Sequence, residues 1–263
     1  IAFPVGIFSE GVIKMITYSW RLGILVGIIP VALSLLALGA IAESDLWKKH
    51  RSEKKASTAT FASLSSPENR KALLRGSLIF GAMLIGLWAV FSWLPTWVQS
   101  ISVGDASKAR GLSMMCMGMG GLAGGFFSGW LVNLMGLKRS MITCFAVCTV
   151  LSFVLFKTNN TFSPIIYAEI GVMALFFGAS QGILSVYIPA LFPTGVRSSA
   201  TGICFNAGRI FTGTAVLFVG VLVTKLGGYG NSLFIFSLVF LIGLLITLLS
   251  KDLKISTQNT SNN

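Results

Sequence analysis

Apolar residues gather along this chain into seven stretches of roughly twenty, at 22–42, 77–99, 111–135, 140–156, 164–189, 198–224 and 231–250. Short polar breaks separate them. About twenty apolar residues wound as a helix match the ~30 Å hydrocarbon core of a bilayer. One such run could be a buried core helix. Seven in series leave too little polar surface to coat a soluble protein. The pattern predicts an all-α polytopic membrane protein with about seven transmembrane helices.

Composition agrees. The chain is 54% hydrophobic and 11% charged, with a mean hydropathy of +0.82, where a soluble domain carries about 25% charged residues. The net charge of +12 raises the question of a polyanion partner. Its placement answers it. Lys48, Lys49, Arg51, Lys54, Lys55, Arg70, Lys71 and Arg75 crowd the hydrophilic segment between the first two spans. That is the expected pattern of a cytoplasmic loop. No binding motif or aromatic interleaving accompanies the charge, so nucleic acid is excluded as a partner.

The loop at 43–76 sets the topology. With it inside, the loops at 136–139 and 190–197 and the tail at 251–263 are also inside, and those at 100–108 and 157–163 are external. Residues 43–55 suit a short surface helix. Residues 56–66, rich in Ser, Thr and Ala, suit a flexible hinge between two bundles. The chain opens in an apolar run, Ile1–Phe8, which reads as the tail of an upstream helix. The expected organisation is therefore the end of an N-terminal bundle (1–42), a central loop (43–76), a six-helix bundle (77–250) and a cytoplasmic tail.

Chemistry-bearing residues are few. Cys116, Cys144, Cys148 and Cys204 lie inside predicted spans without metal-ligand spacing, and His50 stands in the basic loop without a catalytic partner. No cofactor, no metal and no enzymatic constellation is expected. The run Gly118-Met-Gly120-Gly121-Leu-Ala-Gly124-Gly125 through Gly129 holds overlapping G-x-x-x-G spacings at 120/124, 121/125 and 125/129. In lipid these let two backbones approach closely. A dinucleotide fingerprint would need a preceding strand, which a membrane span excludes.

Three local patterns converge on one family. Gly129-Trp-Leu-Val-Asn133-Leu-Met-Gly136-Leu-Lys138-Arg139 resembles the cytoplasmic loop signature of the major facilitator superfamily, G-x-x-x-D-x-x-G-x-[KR]-[KR], with Asn133 in place of Asp. Trp20-Arg21, Pro30, Glu43-Ser44 and Trp47 resemble the sixth helix of its sugar-porter-like members. Leu191-Phe192-Pro193-Thr194-Gly195-Val196-Arg197 resembles their loop between helices ten and eleven. The resemblance implies the sixth helix, the central loop and the C-terminal half of a twelve-helix transporter in a bacterial inner membrane. Its N-terminal half is missing. Asn206-Ala207-Gly208-Arg209 is similar to members that carry sialic acid, organic acids or other small metabolites with protons. A non-transporting receptor or structural subunit is the alternative.

Charges inside a bilayer are costly and mark pathways. Glu169 is expected ~8 Å deep from the outer side and Arg209 ~17 Å up from the inner side, within roughly 5 Å in height. Arg209 would hold an anionic substrate or pair with Glu169. Glu169 would take up and release a proton as its surroundings alternate between wet and dry. Asn206, on the Arg209 face, together with Gln181, Tyr187 and Trp93, would complete a polar and aromatic wall. Trp97 would anchor the outer interface and Pro95 would kink its span. Gly129, Asn133, Gly136, Lys138, Arg139 and Arg197 would form the inner gate.

Overall fold

The computed structural model describes residues 2–16, 64, 66–193 and 196–250, with isolated positions between 28 and 36. The predicted span at 22–42, most of the central loop, His50 and the tail lie outside the described residues. So does the resemblance carried by Trp20 to Trp47.

Among the described residues there is no strand, and six helical spans are long and apolar enough to cross a membrane. They coincide with the six predicted runs from 77 onward. Helix α1 is Ala2–Ile16. The next span breaks in two: α2 (Pro67–Ile85), a π-helical turn (Gly86–Phe91), then α3 (Leu94–Ile101). Then come α4 (Ala106–Met135), α5 (Leu137–Thr158), α6 (Ile165–Ala190), α7 (Arg197–Leu217), α8 (Val219–Lys225) and α9 (Tyr229–Leu248).

Local chemistry sets the ends. The Ser66 hydroxyl accepts from the Asn69 N–H, and Pro67 fills the first turn of α2, where its missing N–H costs nothing. The Asp105 carboxylate accepts from the Lys108 N–H at 3.0 Å and starts α4. Gly136 sits at φ 81°, a left-handed conformation that turns α4 directly into α5. Pro95 does not kink a continuous helix. It occupies the first turn of α3, and the break precedes it, at the π turn.

Packing between spans is governed by missing side chains. A Cβ on Gly124 would collide with the Leu175 carbonyl, one on Gly120 with the Gly171 carbonyl, and one on Gly178 with the Gly121 backbone. The α4–α6 seam is thus backbone against backbone, as the 120/124 spacing predicts. Gly125 and Gly129 lie outside that seam: a Cβ at either meets nothing within 4 Å. Helix α7 meets α2 in the same way, through Gly81 and Gly208, with Phe80 and Phe205 stacked beside them at 4.4 Å. The α5–α9 contact seats the Phe145 ring over Gly243, and Phe240 of α9 rests on Gly86 at the π turn. Helix α1 packs on α4, where a Cβ at Gly11 would come within 2.8 Å of the Gly111 carbonyl. Trp97 is a core residue, 3% exposed and edge-on to Phe156 at 5.1 Å, not an interfacial anchor.

Candidate functional site

A cavity of about 370 Å³ opens among α1, the π turn, α4 and α6. The π turn places Leu87 and Phe91 in its wall, and α4 adds Met117 and Phe126. From α6 come Phe177 and Gln181. Phe91 and Phe177 meet with ring centroids 4.5 Å apart, tilted by 40°. Gly121 and Gly178, which meet in the α4–α6 seam, also line the cavity, together with Gly125 and Gly182.

Among the described residues Gln181 is the one polar side chain in this wall. Its Nε2 is buried and has no hydrogen-bond partner among them. Buried amide donors are normally satisfied, and an orphan one costs free energy comparable to a lost hydrogen bond. Gln181 stands about nine residues from the C-terminal end of α6, so ~14 Å in at 1.5 Å per residue.

Helix α7 has three distinct faces. Ala200, Cys204, Gly208 and Thr212 are buried, and this face meets α2 at the Gly208–Gly81 contact. Ile203, Ile210 and Leu217 are exposed and apolar, as lipid contact requires. Between these faces, at the ~100° per residue of an α-helix, run Gly202, Asn206, Arg209 and Gly213. Arg209 is exposed, and its Nη1 donates to Asn206 Oδ1 at 3.4 Å. It lies about twelve residues into α7, so ~18 Å from the end that adjoins α6. Arg209 and Gln181 are therefore within about 4 Å in depth. Among the six spans Arg197–Lys225, formed by α7 and α8, is the least covered: 17% of its apolar window is buried, against 61% for Asn69–Ile101. Among the described residues no carboxylate is bonded to this guanidinium.

The remaining residues singled out by sequence are dispersed. Glu169 accepts from Asn159 Nδ2 at 2.7 Å, near the start of α6. It is ~32 Å from the far end of that helix, so about 14 Å from Arg209 in depth. The two do not pair. The expected near-match in height assumed a ~30 Å span, whereas the 26 residues of α6 extend ~39 Å and carry Glu169 toward the outer end. Tyr187 is fully buried in the core, and Trp93 stacks on Tyr229 at 6.0 Å; neither lines the cavity.

At the opposite end from Glu169, Gly129, Asn133 and Arg139 are exposed around the α4–α5 turn, with Lys138 half-buried. Ser140, which the motif does not include, knits that turn: its hydroxyl is 3.0 Å from the Leu131 carbonyl and 2.7 Å from that of Gly136. Arg197 Nε donates to the Phe192 carbonyl at 3.2 Å and so fixes the α6–α7 loop, whose Thr194 and Gly195 lie outside the described residues. Sequence reasoning missed the aromatic trio Phe91, Phe126 and Phe177. Phenylalanine in an apolar span carries no periodic signal that separates cavity from core. It also missed the Arg110 Nη1 donation to Gln99 Oε1 at 3.1 Å, which bridges α3 and α4 near the outer loop. Among the described residues no cluster of metal ligands occurs.

Six membrane-length helices joined by glycine seams, with a cavity halfway along them, define a multi-pass integral membrane protein. The chain belongs to the Major Facilitator Superfamily, whose family model matches residues 5–210. It is 29% identical over 215 residues to the "Probable 4-methylmuconolactone transporter" of Cupriavidus pinatubonensis, covering 80% of this chain and 48% of that protein. It is 24% identical over 211 residues to the cis,cis-muconate transport protein of Acinetobacter baylyi (78% and 50%). It is 27% identical over 243 residues to the sialic acid transporter NanX of Escherichia coli (90% and 56%). The chain spans about half the length of these relatives.

Proposed function

We propose that this chain is the C-terminal half of a secondary transporter that moves a small polar metabolite across a bacterial inner membrane by alternating access. The observation that carries the reading is the uncovered polar stripe of α7, Asn206 and Arg209, at the depth of the Gln181 cavity. A second six-helix half, which the length of the relatives supports, would close over that stripe and complete the site. Rocking of one half on the other would open the site to each side in turn.

In this reading Arg209 receives a substrate carboxylate through its planar fork of donors, and Asn206 holds the guanidinium in place. Gln181 offers a second donor. Asn133, Lys138, Arg139 and Arg197, beside the two glycines Gly129 and Gly136, form the inner gate. The substrates of these relatives support organic acids and sialic acid-like sugar acids as the substrate range, with sugars as its wider bound. Coupling to protons, with Glu169 as a carrier near the outer end, belongs to the same proposal.

The test is solute counterflow in proteoliposomes holding the complete reading frame, preloaded with muconate or sialic acid. Saturable exchange that Arg209→Met removes supports the proposal. Exchange unaffected by Arg209→Met, in protein of unchanged melting temperature, refutes the site assignment.

A further inference from the structure

Outward of the cavity, the seam between α1 and α4 carries two opposite charges that the site does not use. The two backbones meet at Gly11 and Gly111. Glu10 and Arg110 immediately precede these glycines, so they stand at one level. Arg110 is four residues into α4, ~6 Å from its outer end. On α1, Glu10 is three residues from Ile7, about 60° round the helix; on α4, Arg110 is seven residues from Met117, about 20° round. Ile7 and Met117 both line the cavity. Glu10 and Arg110 therefore flank its outward continuation, one from each helix. Glu10 is exposed and Arg110 half-buried. Arg110 Nη1 donates to the neutral Gln99 amide of α3, and its buried Nε has no partner among the described residues. A guanidinium held by one neutral acceptor keeps donors free for a carboxylate, which binds it more strongly than an amide does.

We propose that Glu10 and Arg110 form an ion pair across the α1–α4 seam that shuts the outer mouth of the cavity. Arg110 then exchanges the Gln99 amide, its partner in this structure, for the Glu10 carboxylate. The seam beside them is glycine against backbone, so both side chains start from backbones already in contact, and a change of rotamer makes the bond. Glu169 does not serve here: it accepts from Asn159 near the start of α6. Helix α1 precedes the central loop and α4 follows it, so the pair joins the two halves of the transport reading, on which its gating role rests.

Access to the cavity tests this without requiring transport. In the complete protein on intact cells, Ile7→Cys is labelled by an impermeant thiol reagent, and labelling of the same protein without that cysteine is subtracted. Glu10→Gln and Arg110→Gln are each expected to raise the labelling rate about fivefold, the upper range for a solvent-facing pair. The two together should raise it no further than either alone, since they remove one bond. Exchanging the charges, Glu10→Arg with Arg110→Glu, should return the rate to its starting value. In proteins of normal melting temperature, unchanged labelling in the single variants, multiplied effects in the double one, or no return on charge exchange overturns the proposal. So does an equal rise in Lys14→Gln, four residues on from Glu10, which would make Lys14 the partner of that carboxylate. Coupled labelling in a protein without counterflow would support the pair and remove the transport reading. Counterflow with uncoupled labelling would do the reverse.

Discussion

Arg209 is placed where an unpaired guanidinium is expensive, at least ~2.5–3.5 kcal/mol by insertion scales. Its bonded partner is the neutral Asn206 amide, not Glu169. Among the described residues no carboxylate is bonded to it, and in the proposed reading a substrate carboxylate takes that place. Arg209→Lys should retain insertion but lose the bidentate geometry and most of the uptake, measured as initial rate in proteoliposomes. Glu169 accepts from Asn159, and a glutamine keeps an acceptor oxygen there, so Glu169→Gln should change stability by under about 1 kcal/mol, read from melting curves. A Glu169→Gln protein that loses proton dependence while still exchanging substrate would assign coupling to that carboxyl. The charged positions were legible in the sequence because any ionisable residue inside an apolar run stands out. Their relations were not. Whether Glu169 reaches Arg209 depends on helix length beyond the bilayer core, and α6 is longer than the hydrophobic run alone required.

The glycine run of α4 divides into positions that pack and positions that do not. Gly124→Ala would drive a methyl into the Leu175 carbonyl, a backbone atom that cannot swing aside. Overpacking of this kind costs about 1–3 kcal/mol, so a marked drop in detergent melting temperature is expected. Gly129→Ala meets open space and should be neutral or slightly stabilising, because alanine favours the helix by up to ~1 kcal/mol. Equal destabilisation by both would contradict the seam. The existence of six of the spans could be read from run length alone, and the 120/124 register from small-residue spacing. The partner helix could not: a G-x-x-x-G stripe says that a backbone approaches, never whose. The break after Ile85 was likewise assigned to Pro95, the visible helix breaker, whereas the ladder shifts at Gly86, where the Phe240 ring occupies the space of a side chain.

Taken together, the six described spans present a face that they do not cover themselves. The α7 stripe lies on it, and the proposed second bundle would close it. The proposed orientation rests on the eight lysines and arginines of 43–76, five before α2 and three (Arg70, Lys71, Arg75) in its first turns, which oppose translocation. A single cysteine at Ser57 should be shielded from an impermeant thiol reagent on intact cells, and one at Ser102, in the exposed α3–α4 turn, should react. The opposite result reverses the topology. The most direct measurement compares uptake of a labelled organic acid by two preparations in identical proteoliposomes: the complete reading frame, and residues 1–263 alone. The account predicts saturable uptake by the first and none by the second, since half of the alternating pair would be absent. Saturable, specific uptake by residues 1–263 alone would contradict it.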